Sequence, residues 1–264
     1  MIYLRGLRLK ESRPIPERFP FTLGIFHDLA IEFSAPVTFL VGENGTGKST
    51  LIEALARATE LPIVGGERIE KDATLAYTKD LSAAFRLSWT KRTRRGFFLR
   101  AEDFFRFCRG MQNLAAEMDE DAAHFEKNLK GYGLQLARGA VLGQKHEIQK
   151  RYGEALDGQS HGESFLRLFQ ERFSPSGLYL LDEPETPLSP LRQLTLLSML
   201  KEMTQEHGSQ FIIATHSPIL MALPQAEILC FDGGKIQKAR YDDLEHVTLT
   251  RRFLENPERF LKHL

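Results

Sequence analysis

Residues 37–50 read Val-Thr-Phe-Leu-Val-Gly-Glu-Asn-Gly-Thr-Gly-Lys-Ser-Thr, and the stretch Gly42–Ser49 matches G-x-x-x-x-G-K-[ST] at every fixed position. Val37–Val41 is an unbroken apolar run behind Pro36, the pattern of a strand buried on both faces. Thr50–Glu60 follows with Leu51, Ile52, Leu55 and Ala58 near one helical face. Strand, glycine-rich loop and helix in that order form a phosphate-binding loop. Its glycines let successive N–H groups turn inward around an anion, and the helix adds its positive end. Gly42, Asn44, Gly45, Thr46, Gly47, Lys48, Ser49 and Thr50 are therefore the expected phosphate-contacting residues. Lys48 supplies a full charge to the terminal phosphates, and the Ser49 hydroxyl suits Mg²⁺.

Two further strand ends carry the right chemistry. Leu178–Leu181 runs into Asp182 and Glu183. A buried strand delivers its last side chains to the carboxyl edge of a parallel sheet, where ligands sit. Asp182 is placed as the second Mg²⁺ ligand and Glu183 as the general base that polarises water. Phe211–Ala214 leads in the same way into Thr215-His216-Ser217-Pro218, which makes His216 a third catalytic candidate. Between those strands, Leu191, Leu194, Leu197 and Leu200 mark a helix, so the segment reads as a βαβ unit with a parallel sheet.

Outward from this core the period changes. Leu29, Ile31 and Phe33 alternate with smaller or polar residues, as in a strand with one buried face. Alternation from Leu81 to Trp89, then Lys91–Gly96 and Phe97–Leu99, predicts an antiparallel hairpin with a basic tip, Lys91-Arg92-Thr93-Arg94-Arg95. Residues from Ala101 to about Arg172 read as helical, with Phe104, Phe107, Met111, Leu114 and Met118 on one stripe. A last strand is expected at Glu227–Phe231, and a C-terminal helix anchored by Phe253, Leu254, Phe260 and Leu261.

Composition excludes several classes. Lys and Arg together number 35, as do Asp and Glu, so nucleic acid can be recognised only through local patches. Cys108 and Cys230 cannot build a disulfide framework, which points to a reducing, cytoplasmic setting. No apolar run approaches the roughly 20 residues needed to span a bilayer, and MIYLRGLRLKESR carries charges where a secretory leader needs an apolar stretch.

Taken together, GENGTGKST, LLDEPE and THSP resemble the ATP-binding-cassette (ABC) type of P-loop ATPase, closest to the compact chromosome-maintenance and recombination-like group of AAA-labelled bacterial ATPases. Ser160-His161-Gly162-Glu163-Ser164 looks like a divergent form of that superfamily's signature motif, with His161 in place of a glycine. The resemblance implies a single domain over residues 1–264, with a parallel core sheet, an antiparallel β-subdomain and a helical signature subdomain at about 101–175. It implies ATP and Mg²⁺, and an ATP-dependent homodimer in which Ser160, Gly162 and Glu163 reach a nucleotide held by the other copy. It leaves DNA or an effector protein as the further partner; a transporter's nucleotide-binding subunit and an effector-recruiting switch are the alternatives. Two departures stand out. The junction Phe98–Glu102 lacks the glutamine the resemblance calls for, leaving Glu102 or Arg100 as substitutes or a metal without that ligand, and Thr186–Ser189 lacks the usual aspartate. The stretch from Glu102 to Ser160 is also too short for long coiled-coil arms, and no further nuclease domain is expected after Leu264.

Overall fold

The computed structural model describes residues 1–10, 16–64, 72–152 and 161–262. In chain order its strands and helices are β1 (Leu4–Leu9), β2 (Ala30–Glu32), β3 (Val37–Gly42), α1 (Lys48–Thr59), α2 (Thr78–Ala84), β4 (Phe85–Trp89), β5 (Gly96–Arg100), α3 (Ala101–Asn128), α4 (Tyr132–Tyr152) and α5 (His161–Arg172). They continue through β6 (Leu178–Asp182), α6 (Pro190–Gln205), β7 (Gln210–Ala214), α7 (Pro218–Met221), β8 (Glu227–Asp232), β9 (Lys235–Lys238), α8 (Glu245–Glu255) and α9 (Pro257–Leu261). The large sheet has the order β5-β6-β7-β3-β8-β9, parallel except for the β8–β9 hairpin. A small antiparallel sheet, β2-β1-β4, lies apart from it.

Side-chain alternation along the central strands divides the apolar core in two. Leu40, Leu180 and Ile212 face a cluster shared with α1 and with Leu4, Leu7 and Ile31 of the small sheet. Phe39, Leu181 and Ile213 face the other way, against α5, α6 and α7. Burial on both faces explains why β3, β6 and β7 read as continuous apolar runs. One polar clip ties the sheets together. The Gln210 carboxamide accepts from the Tyr3 and Leu4 N–H groups at 2.8 and 2.9 Å and donates to the Leu4 carbonyl at 2.9 Å. A fully buried amide satisfied in this way avoids the cost of an orphaned polar group.

Helix α5 is held by aromatic packing. Phe165, Phe169 and Phe173 recur every fourth residue; the rings of Phe169 and Phe173 meet Phe97, Tyr179 and Phe211 of the large sheet at centroid separations from 4.8 to 6.3 Å, and that of Phe165 meets Phe104 of α3 at 4.6 Å. Such pairs each contribute about 0.5–1.5 kcal/mol beyond their burial.

Two expectations are corrected. The hairpin over 81–99 does not form. Leu81 ends up buried in α2, β4 pairs with β1, and β5 joins the large sheet beside β6. The alternation conceals this because Leu81, Phe85 and Leu87 all reach the same apolar cluster, the first from a helix and the others from a strand. The helix marked by Leu191, Leu194, Leu197 and Leu200 forms as α6, with Leu191 and Leu194 exposed and with Leu196, Leu200 and Met203 buried. Phe253, Leu254 and Leu261 are likewise exposed, and Val247 and Leu244 secure the C-terminal segment instead. Of the helical stripe, Phe104 is fully buried, while Met111, Leu114 and Met118 are half-buried.

Candidate functional site

The loop between β3 and α1 lies where the central strands end. Gly47, immediately before α1, adopts a left-handed conformation (φ 97°) that lets the chain turn its N–H groups toward the loop's interior. Lys48 is buried, and its Nζ donates to the carbonyls of Gly42 and Glu43 at 2.7 and 2.8 Å. Burial lowers the Lys48 pKa, and Asp182, Glu183, Glu43 and Glu185 oppose that effect. Ser49 Oγ donates to Asp182 Oδ1 at 3.2 Å. Asp182 is pushed up to about 7, first by burial, against the Ser49 hydrogen bond and the Lys48 charge. A carboxylate this costly to ionise, beside the Ser49 hydroxyl, is a pair of hard oxygen donors that a divalent cation would satisfy. The residues present therefore fit Mg²⁺.

Glu183 follows Asp182 with φ 50°, a left-handed conformation that is uncommon for a residue with a side chain and sets its carboxylate apart from Asp182. Its N–H donates to the Ala214 carbonyl at 2.9 Å, fixing the turn at the strand end. His216 Nε2 lies 4.0 Å from Glu183 Oε1 and, though buried, has no hydrogen-bond partner. Burial first, then the Lys48 charge, lowers the His216 pKa. An unpaired ring nitrogen aimed toward a carboxylate at the mouth of a phosphate loop can donate to, or accept from, a ligand oxygen.

Two participants escape a sequence reading. Glu185 Oε1 accepts the His216 N–H at 2.7 Å and so positions the whole Thr215–Pro218 turn. The only sequence signal was a third acidic residue in LLDEPE. His246, at the start of α8, has Nε2 3.3 Å from His216 Nδ1 and 3.5 Å from Glu43 Oε1. Nothing in its local pattern marks it, because the contact joins segments distant in sequence.

Arg100 does not stand in for the glutamine. Arg100 is the register partner of Asp182, but its guanidinium is buried and committed elsewhere. It binds Asp103 through two hydrogen bonds of 2.8 Å, Asp72 at 2.7 Å and Glu102 at 2.9 Å, with Glu53 at 3.5 Å. Four segments meet there, and the charge of Asp182 reaches Glu53 on α1.

The proposed signature is reached only in part. Ser160 lies outside the described residues. Gly162 and Glu163 open α5 and face α6 and the loop after β6: Glu163 Oε2 is 3.5 Å from Arg192, and a Cβ on Gly162 would lie 2.8 Å from the Pro187 carbonyl. Gly42 ends β3, and Asn44, Gly45, Thr46 and Thr50 lie in the loop or the first turn of α1, as their spacing predicts.

Comparison with known proteins agrees with this geometry. A family model described as "AAA domain" matches residues 22–68, and one described as "AAA domain, putative AbiEii toxin, Type IV TA system" matches residues 62–222, more than half of the chain. The hemin import ATP-binding protein HmuV of Bordetella pertussis is 28% identical over 67% of this chain and 65% of its own length. The achromobactin transport ATP-binding protein CbrD of Dickeya dadantii is 24% identical over 68% of this chain and 62% of its own length. The matched stretches thus span less than two thirds of either relative. Among solved structures, an Smc head domain with an extended coiled coil, bound to the C-terminal domain of ScpA and derived from Pyrococcus furiosus, covers 97% of this chain and 99% of that one at 14% identity, with a TM-score of 0.47. No described helix is long and apolar enough to cross a membrane. The chain belongs to the AAA-domain family whose model matches residues 62–222.

Proposed function

We propose that this chain hydrolyses ATP to ADP and phosphate, and that ATP holds two copies together head to head. The observation that carries the reading is the meeting of three strand ends: Lys48 and Ser49 after β3, Asp182 and Glu183 after β6, and the unpaired His216 Nε2 after β7. Lys48 exchanges its two carbonyl acceptors for phosphate oxygens. Ser49 and Asp182 would hold Mg²⁺, which would neutralise charge on the phosphates. Glu183 accepts the proton of the attacking water, and His216 donates to an oxygen of the terminal phosphate. Gly162 and Glu163, with Ser160, complete the other copy's site. The test is a Glu183→Gln variant with MgATP: turnover should fall at least about a hundredfold, and light scattering should report a dimer that ADP does not sustain. A variant that stays monomeric with ATP overturns the head-to-head model, and full turnover removes Glu183 from its role.

For the output of this cycle we favour a DNA transaction. The outer face of the small sheet carries Arg5, Arg8, Lys10 and Arg86, with Arg8 and Arg86 directly opposite each other. Like charges in register destabilise a sheet, and a phosphate backbone would offset that. The names of the two import relatives favour a second reading, a transporter's nucleotide-binding subunit. Its mark would be turnover stimulated by a membrane partner rather than by DNA.

A further inference from the structure

Helix α8 begins beside the phosphate loop because its N-terminal residues are tightly held. Leu244 and Val247 are buried in the core cluster of α5, α6 and α7. Tyr241 Oη, one turn earlier, donates to the Pro218 carbonyl at 3.1 Å. His246 between them has little freedom, and its ring meets that of His216 at a centroid separation of 5.4 Å.

The two contacts of His246 Nε2 decide where the protons lie. Its neighbour Glu43 Oε1, at 3.5 Å, belongs to a carboxylate that only accepts. A bare ring nitrogen there would set lone pair against negative charge, so Nε2 carries the hydrogen whether the ring is neutral or charged. The same N–H points at His216 Nδ1 at 3.3 Å, which must then accept. A hydrogen on His216 Nδ1 would oppose donor to donor. His216 is thereby left with its one hydrogen on Nε2, the atom that has no partner and lies toward Glu183.

We propose that His246 is a positioning residue: together with Glu43 it fixes the tautomer of His216, so that an N–H rather than a lone pair faces the scissile phosphate. A series Glu43–His246–His216 then runs from the phosphate loop, through the start of α8, to the turn held by Glu185. This deepens the hydrolytic reading above and rests on it for its catalytic consequence, whereas the tautomer itself is a property of the nucleotide-free protein.

The experiment separates the two. Nitrogen-15 imidazole spectra of the nucleotide-free chain should show His216 protonated at Nε2 alone. In His246→Ala a mixture with the Nδ1 form should appear. His246→Gln, whose carboxamide N–H can still donate to His216 Nδ1 and to Glu43, should restore the single tautomer. In turnover, His246→Ala should lower kcat by about tenfold or more while leaving KM for ATP within about twofold, with recovery in His246→Gln. His216→Ala combined with His246→Ala should be no slower than His216→Ala alone, because residues acting in series are not additive. A wild-type ring protonated at Nδ1, or one whose tautomer ignores His246→Ala, overturns the proposal even if no ATP is hydrolysed. Absence of wild-type turnover with the expected spectra would instead sink the hydrolytic reading and leave the tautomer assignment standing.

Discussion

Glu53 shows how much of this site's character comes from burial. Its carboxyl sits on α1 with the Tyr77 hydroxyl and Arg100 as neighbours. Burial first, then the charge of Asp182, push its pKa up to about 8 against the Arg100 ion pair. Asp72 on the same guanidinium goes the other way: burial would raise it, but hydrogen bonds from Thr74 and Arg100 hold it at about 2. One arginine therefore serves acids of opposite tendency. A folded pKa near 8 against an unfolded value of 4.5 means that the native state holds the extra proton between those limits. Stability from this group is present below the unfolded value and lost as pH climbs to about 8. Glu53→Gln keeps the shape and removes the titration. Its melting temperature should decline less than the wild type's from pH 5 to pH 8, and parallel profiles would show that Glu53 is already ionised.

At the level of elements, the start of α5 is coupled to the turn that carries His216 by contact. Gly162 lies against Pro187, Leu188 donates to the Glu185 carbonyl at 2.8 Å, and Glu185 holds His216. A Cβ at 162 would also come within 3.0 Å of Arg192. The arginine side chain can swing away, but the Pro187 carbonyl is backbone and cannot without moving the loop. Alanine favours a helix over glycine by up to about 1 kcal/mol, whereas overpacking costs about 1–3 kcal/mol. Gly162→Ala should therefore lower the urea midpoint at an unchanged slope; a rise would show that propensity wins and that the loop yields freely. The local signals were legible: G-x-x-x-x-G-K-S between a valine-rich strand and a helix, and acids or histidine at the ends of apolar runs, placed Lys48, Ser49, Asp182, Glu183 and His216 at one sheet edge. What failed was pairing. Alternation in 81–89 says that side chains point to two faces but not which partner strand lies alongside, so β4 and β5 were joined when they belong to different sheets. His246 and the Arg100 cluster stayed hidden for a related reason: each is made by residues brought together only through tertiary packing.

Across the whole molecule the charges balance, so a concentration of one sign on one surface is a local property of the fold. The outer face of the small sheet is such a place. Arg5, Arg8, Lys10 and Arg86 line a shallow groove of about 910 Å³ with Trp89 at its end, and Glu32 is the acid among the lining residues. Glu32 lies 3.6 Å from Arg8, but both side chains are largely exposed, so the pair stabilises little. Beyond β4 the basic band continues through Lys91, Arg92 and Arg94, although Arg92 meets Glu60 and Arg95 donates to the Pro175 carbonyl. Two explanations make opposite predictions for Arg8→Ala combined with Arg86→Ala. If the face is merely solvated, the variant should gain about 0.2–1 kcal/mol from losing a like-charged cross-strand pair, and duplex affinity should not change. If the face tracks a phosphate backbone, duplex affinity should fall, and the slope of log affinity against log salt should become shallower by about 2, close to one unit per phosphate contact. MgATP binding at Lys48 should be the same in both cases, since the altered side chains point away from α1. Fluorescence anisotropy of a labelled duplex across a salt series, run beside a chemical melt, reads both quantities on the same protein. A stabilised variant with an unchanged salt slope would remove the small sheet from any DNA-binding role and leave the transporter reading as the stronger of the two.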